Sequence, residues 1–363
     1  MTGPVIGSSR ARAVCGDLAL TLVHGGANLG HVQVTIREVA KAAGVSPSTV
    51  SRALTPDGTV SATTRERVQA AADKLGYQPN RAARGLITGR TGHLGVIVPD
   101  LLNPFFADIC KGVQARARGL GHAVFVSDAE RDEGLEEEAI RTMAPEVDGI
   151  VLCAPHMSSE ELQSLDRFTH KPIVLLHRKE PGFASVTADM VEGMTDALTH
   201  LHALGHRRIA YVGGPRSTWT AQERAAGIEA GSSKVEVIQI GSVAPQFDGG
   251  ITGAADVVLA SGATAVVAFN DIVAFGLISR FTDRGVRVPD EMSVVGCDDI
   301  ALAGMAAPPL TTVHVPKAHA ARAAVDLLFR TLATPAGQDT EPLQRVLPTH
   351  LVVRGSTAAL EDR

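Results

Sequence analysis

Three helix-sized segments in the first quarter of the chain carry their own start and stop signals, and these constrain the fold more tightly than anything else in the sequence. Thr35-x-x-Glu38 is a capping box, in which side chains satisfy the N–H groups that a helix N-terminus leaves open. The helix it starts runs to about Ala43, where Gly44 ends it. Ser46 caps a second helix with Pro47 at its first position, where a missing N–H costs nothing. A third starts at Ser61 or Thr63, with Thr63-x-x-Glu66 as a further capping box. It offers Val68, Ala71, Ala72 and Leu75 as an apolar face and stops at Gly76.

The first two helices are joined by the short glycine-containing turn of a helix-turn-helix unit. Ala40, Val45 and Val50 are spaced to pack them together. Pro47, Ser48, Thr49, Ser51 and Arg52 are then left facing outward, where a recognition helix reads base edges. Capping boxes and a glycine turn also suit a plain helical bundle, so charge has to decide. The 363-residue chain carries a net charge of −5, which by itself argues against nucleic acid. Residues 34–92 hold nine Lys/Arg against four Asp/Glu, a surplus of five that leaves −10 for the rest. A basic module on an acidic body is the asymmetry expected when one part alone meets phosphate.

Beyond Gly92 short apolar strands alternate with amphipathic helices. Strands are expected at 94–98, 123–127, 149–152 and 173–176, with helices at 105–119, 133–143 and 159–168. A second set has strands at 209–212, 235–240, 265–269 and 293–296, and helices at 191–204, 219–229, 249–260 and 272–284. Such alternation marks parallel sheets covered on both faces. With 4% aromatic residues, Ala, Val, Leu and Ile must fill the core, and no apolar run is long enough to span a bilayer. Residues 1–33 read as a disordered tail or a mis-annotated start, because the apolar run at 18–23 is too short for a secretory signal. Cys15, Cys110, Cys153 and Cys297 form no CxxC pair and read as residues of a reducing cytoplasm, Cys15 without a role.

TIREVAKAAGVSPSTVSRAL, VSATTRERV, LGYQPNRAARGL and TGHLGVIVPDLLNPFFADICKGV resemble, in that order, the lactose/galactose repressor (LacI/GalR) family of bacterial transcription regulators. The resemblance runs from about Val34 to Thr357. It implies an all-α helix-turn-helix head (34–78), a hinge helix and linker (79–92), and an α/β two-lobed, type I periplasmic-binding-protein-like core with parallel sheets (93–357), followed by a tail (358–363). Three crossings would divide that core into lobe 1 (about 93–184 and 316–342) and lobe 2 (about 185–315 and 343–357). The helix at 318–332 would return to lobe 1.

The same resemblance implies base contacts from Pro47, Ser48 and Arg52, with Arg52 the bidentate reader of guanine. Thr35, Ser46, Thr49, Ser51 and Asn80 are implied in phosphate or cap roles. Asn80, Ala83 and Leu86 belong to the hinge, a two-turn helix marginal on its own. The leucine at Leu86's position wedges into the minor groove in the family, although a plain linker role stays open.

For an effector, the cleft beyond the strand ends is the expected site. The resemblance implies Phe105 and Phe106 on one side, with Phe106 equally readable as core, and Asp189 at a ligand or inter-lobe position. Across from them it implies Trp219, Thr220, Arg224, Asp271 and Asp298, where either aspartate can instead cap a helix. Aromatics with Asp and Arg suit a sugar or polyol first, and a nucleobase or other small metabolite next. His177-Arg178 stands where Asp-Arg is common, Met190 where Asn is usual, and the stretch after Glu229 is about ten residues short. All three put the ligand contacts in doubt.

No GxSxG, GxGxxG, Walker A or HExxH signature supports an enzyme. His200, His202 and His206 suggest metal, but they sit at a helix stop before a strand. An exported solute-binding protein would leave the basic head without purpose. The expectation is therefore a cytoplasmic, homodimeric repressor without metal or cofactor. It would bind pseudo-palindromic operator DNA under the control of a sugar-like or nucleoside-like effector, with no coiled-coil tetramer.

Overall fold

The computed structural model describes residues 34–54, 58–77, 90–334 and 342–360. The chain divides between Asn80 and Arg81 into two compact units. The expected hinge residues Asn80, Ala83 and Leu86 lie outside the described residues.

In the first unit, α1 (Ile36–Ala43), α2 (Pro47–Ala53) and α3 (Ala62–Leu75) surround a core of small side chains. Val39, Ala40, Ala43, Val50, Ala53, Val68 and Ala72 are buried, with Val45 and Ala71 packed against them. The reciprocal cap on α1 forms, the Thr35 N–H donating to Glu38 Oε2 at 2.7 Å. Gly44 and Gly76 end α1 and α3 in the left-handed region at φ 62° and 66°, where a Cβ is strained. On α2, Ser46 Oγ accepts from the Thr49 N–H at 3.2 Å. Arg65 ties α3 to the end of α2, donating to the Ala53 and Gly58 carbonyls at 2.7 Å each. Two details differ from expectation. Ser61, not Thr63, caps α3, accepting from the Thr64 N–H at 3.3 Å. Leu75 stays 37% exposed, while Tyr77 just beyond the helix packs against the core.

The second unit holds two six-stranded sheets. The first has the order β11-β5-β4-β3-β1-β2, from β1 (His93–Val98), β2 (Ala123–Asp128), β3 (Gly149–Cys153), β4 (Ile173–Leu176), β5 (Ala184–Ala188) and β11 (Gln344–Leu347). The second has the order β12-β10-β9-β8-β6-β7, from β6 (Arg208–Gly213), β7 (Glu236–Ser242), β8 (Ala265–Ala268), β9 (Ser293–Asp298), β10 (Thr311–His314) and β12 (His350–Val352). Every pairing is parallel except β10 with β12. The central strands are buried along their length, as sheets covered on both faces require.

The first lobe's helices are α4 (Pro104–Gly119), α5 (Glu133–Met143), α6 (Ser159–Gln163) and α12 (Lys317–Ala333). The second lobe's are α7 (Met190–Ala203), α8 (Trp219–Gly231), α9 (Ala255–Ala260), α10 (Asp271–Asp283) and α11 (Ala301–Met305). α12 returns to the first lobe and packs on α4 so closely that a Cβ at Gly112 would lie 2.7 Å from that of Ala321.

The chain crosses between lobes three times, at 188–190, 314–317 and 347–350. The first and third crossings fall about four residues later than expected, because β5 and β11 both belong to the first sheet. β5, β10, β11 and β12 escape the strand reading. β11 is largely exposed, β5 and β10 are short and rich in Thr, Ser or Ala rather than long aliphatics, and β12 spans three residues. The helix expected at 159–168 is α6 followed by a 3-10 turn, Ser164–Arg167. The one expected at 249–260 opens with a π-helical segment, Gly249–Ala254. There a Cβ on Gly250 would lie 2.3 Å from the Val273 carbonyl on α10, so the bulge seats two backbones in direct contact.

Candidate functional site

In the head, α2 divides its side chains cleanly. Val50 and Ala53 are buried, while Pro47, Ser48, Ser51 and Arg52 are exposed and Thr49 is half-buried. Ser46 Oγ lies 2.8 Å from both Ser48 Oγ and Thr49 Oγ1, so the cap also orders the hydroxyls at the helix N-terminus. N–H groups and a helix dipole at that end favour a phosphate nearby. Arg52 Nε lies 3.4 Å from the Ser48 carbonyl, a long bond that leaves the guanidinium on the outer face. Thr35 is exposed at the start of α1 with its side chain held by Glu38, Oγ1 to Oε2 at 2.9 Å. Six of the seven expected DNA-facing residues among the described ones are thus exposed on one small unit, and the seventh is half-buried.

In the second unit, the carboxyl ends of β1, β3, β4, β6, β8 and β9 and the loops after them enclose a cavity of roughly 760 Å³ of empty space, its mouth included. Phe105 and Phe106 form one wall, edge to face with ring centres 5.2 Å apart. Asn103 sets them there: its Oδ1 accepts from the Phe105 N–H at 3.0 Å, and Pro104 occupies the first turn of α4. Opposite stand Trp219 and Thr220 at the start of α8, which Thr218 caps, with Arg224 one turn further in.

Arg224 and Asp298 form the electrostatic centre. Arg224 Nη2 donates to Asp298 Oδ1 at 2.7 Å, Nη1 donates to the Phe269 carbonyl, and the guanidinium stacks 4.5 Å from the centre of the Phe269 ring. Both side chains are buried, 7% and 6% exposed, and Arg224 Nε has no partner. Burial pushes the Asp298 carboxyl up while the Arg224 charge pulls it down. Asp298 and Asp299 take φ of 120° and 50°, backbone that a non-glycine residue adopts only when its surroundings impose it. Lys317 pins this bend by donating Nζ to both their carbonyls, at 2.6 and 2.7 Å.

Two expected residues do not reach the cavity. Asp271 is fully buried behind it. Its Oδ2 accepts from the Ile300 N–H at 2.9 Å and Oδ1 from the Thr312 hydroxyl, joining α10, β10 and the loop after β9. Burial, then the nearby Asp298 charge, pushes its carboxyl up to about 8. The residue that lines the cavity is its neighbour Asn270, which also caps α10 through the Val273 N–H at 2.8 Å. Asp189 caps α7, accepting from the Glu192 N–H at 3.0 Å, and its carbonyl accepts from Thr349 Oγ1 at 2.7 Å. It fastens two inter-lobe crossings together and is absent from the lining.

The lining also includes Arg131, His156, Pro245 and Met190, and His177 stands at the end of β4. Arg131 is ion-paired to Asp100, and His156 Nδ1 lies 3.4 Å from Glu136 Oε1. Arg131 and His156 follow the carboxyl ends of β2 and β3, so the strand-end rule applied to every strand would have found them. Arg178 turns away, donating to the Pro155 and Met157 carbonyls and to Glu180 Oε2, the last at 3.0 Å, as a buried tether. The shortened stretch joins α8 to the amino end of β7, away from the cavity, and the loop beyond that strand's carboxyl end supplies Pro245. His200 and His206 are engaged by hydroxyls, Thr357 Oγ1 at 3.0 Å and Thr264 Oγ1 at 2.8 Å.

Comparison with known proteins agrees with both halves. Residues 35–80 match the model of bacterial regulatory proteins of the lacI family, and residues 198–357 that of a periplasmic binding protein-like domain. The HTH-type transcriptional regulator DegA of Bacillus subtilis is 32% identical over 343 residues, covering 91% of this chain and 99% of that protein. Among solved structures, the Lac repressor dimer bound to operator and the anti-inducer ONPF superposes with a TM-score of 0.79 at 30% identity. That match covers 90% of this chain and 99% of the other. The transcriptional regulator CelR in complex with cellobiose gives a TM-score of 0.65 at 30% identity, over 89% and 99% of the two chains.

Proposed function

The chain belongs to the lacI family of bacterial regulatory proteins, DNA-binding regulators of transcription, and from that premise we propose that it is a repressor governed by a small molecule held between its two lobes. The observation that carries the reading is the composition of the cavity wall. Phe105 and Phe106 come from the first lobe, Trp219, Arg224 and Asp298 from the second, so a molecule between them touches both. Its binding energy therefore depends on the angle between the lobes, and a ligand with unequal affinity for two lobe arrangements shifts their populations.

The output is DNA binding through α2, with Arg52 reading guanine and Pro47 and Ser48 beside it. Thr35, Ser46, Thr49 and Ser51 lie at helix starts or on the outer face of α2, where phosphate contacts fix register. The working species is a homodimer on a pseudo-palindromic operator in the cytoplasm, one head per half-site. A dimer on operator is what the Lac repressor structure holds, and a sugar is what the CelR structure holds. A gel shift on the native upstream DNA with the full chain tests the reading. A retarded band that responds to a sugar or nucleoside, and loses that response in Asp298→Ala, is expected. A response untouched by Asp298→Ala would move the effector elsewhere.

A further inference from the structure

Lys317 is a buried cation in a place that electrostatics disfavours. It is the first residue of α12 and only 9% exposed, at a helix N-terminus that repels positive charge, and no acid stands in that first turn. Its ammonium bonds to backbone: Nζ donates to the carbonyls of Asp298 and Asp299 at 2.6 and 2.7 Å, with the Phe105 ring centre 5.8 Å away. Carbonyls and a ring return only part of what an ammonium loses on leaving water. Stability is therefore a poor account of this side chain, and its span is a better one. α12 packs on α4 and on β3, β4 and β5 of the first lobe, whereas Asp298 ends β9 of the second lobe and Asp299 follows it. The two bonds run from one lobe to the other beside the crossing at 314–317.

The second-lobe end of the span is firmly held. Asp298 Oδ1 accepts from Arg224 Nη2 at 2.7 Å, and Asp299 Oδ1 accepts from Arg354 Nη2 at 2.6 Å. Asp299 Oδ2 lies 2.7 Å from His314 Nδ1, and the Ile300 N–H donates to Asp271 Oδ2 at 2.9 Å. With φ of 120° and 50° at Asp298 and Asp299, the bend turns both carbonyls onto one nitrogen. A hydrogen bond weakens steeply as it lengthens or bends, so a pair of bonds fixed on both lobes favours the one angle that satisfies it. We propose that Lys317 is a strut that sets the angle between the two lobes, and that its loss shifts the chain toward other lobe arrangements. Lys317 does not line the cavity, so this is a positioning role exerted through the bend, with no contact to a ligand. That the lobe angle in turn governs the head rests on the function proposed above.

The test uses the full chain with no small molecule added. Spin labels are placed through Glu138→Cys on α5 of the first lobe and Gln246→Cys in the loop after β7 of the second, both exposed positions. Cys15→Ser supplies the background, since Cys110, Cys153 and Cys297 are buried. Labelled chain is diluted into unlabelled chain, so that the distance read by electron–electron resonance lies within one copy. Lys317→Met keeps the apolar stem and removes the donor, and should move the main distance between the lobes. It should also change the Kd for native upstream DNA by about tenfold or more, the worth of one hydrogen bond to a charged group. Lys317→Gln keeps a shorter donor and should move both readings less, in the same direction; if Lys317→Met does not fold, this variant decides alone. An unchanged distance, with or without a lowered denaturation midpoint, would overturn the strut and leave Lys317 a plain structural residue. A moved distance with an unchanged Kd would uphold the strut and count against the reading that lobe arrangement governs DNA binding.

Discussion

On α2 of the head, one helix face is buried and the other is exposed. Val50 and Ala53 are buried in the small core, while Pro47, Ser48 and Arg52 are exposed. In the cavity of the two-lobed unit no such division exists. Arg224 lines the cavity, but it also bonds the Phe269 carbonyl, stacks on that residue's ring and neutralises a buried aspartate. A surface site can therefore change its specificity without risk to the fold, whereas a buried site changes its ligand only by rebuilding part of the core.

The contrast breaks first at the arginines. Arg224→Ala strands Asp298 as a buried, uncompensated charge, and should lower stability by about 3–5 kcal/mol in chemical denaturation of the full chain. A loss smaller than that of an ordinary surface substitution would show that the pair serves only the ligand.

Asp271 sharpens the same point through pH. Its folded pKa of about 8 lies above the unfolded 3.8, so between these values the folded protein holds a proton that the unfolded chain has released. Stability from this group is full below about pH 4 and declines as pH rises through about 8. Asp271→Asn should remove a decline on the order of 2 kcal/mol between about pH 6 and pH 8. Parallel profiles for the two proteins would mean that the carboxyl titrates normally.

In the head the expected effects are smaller for folding and confined to DNA. Arg52→Ala should cost about 1–3 kcal/mol of operator binding with an unchanged denaturation midpoint. Equal losses on cognate and scrambled DNA would make Arg52 a phosphate contact instead. Ser61→Ala, which removes the cap that accepts from the Thr64 N–H, should destabilise the head by about 1 kcal/mol and leave the cavity's ligand affinity alone.

The same difference explains what was legible in the sequence. Cap, turn and periodicity signals are local, so the head's helices, most of the alternating strands and helices of both lobes, and the outward row on α2 are legible in the sequence. Ser61 could not be told from Thr63, because two hydroxyl residues two apart offer the same cap. The cavity depends on strand ends brought together by topology. Phe105, Phe106, Trp219, Thr220, Arg224 and Asp298 were reached through family resemblance, and the structure brings all six together. Asp189 stands at the inter-lobe position left open for it and Asp271 behind the wall, and neither outcome is readable in advance, because a strand-end or loop aspartate looks alike whether it faces a cavity, backbone or a helix start. Asn270 beside Asp271 illustrates it: one step along the chain separates the cavity wall from a buried crosslink.

If the proposed function holds, occupancy of the cavity sets DNA affinity. The direct measurement is fluorescence anisotropy of the native upstream DNA titrated with the full chain, with and without saturating amounts of a ligand that stabilises it thermally. Kd should change by about tenfold or more for the natural protein, the size of a typical coupling energy, and not at all for Asp298→Ala. An unchanged Kd in the natural protein at saturating ligand would contradict it.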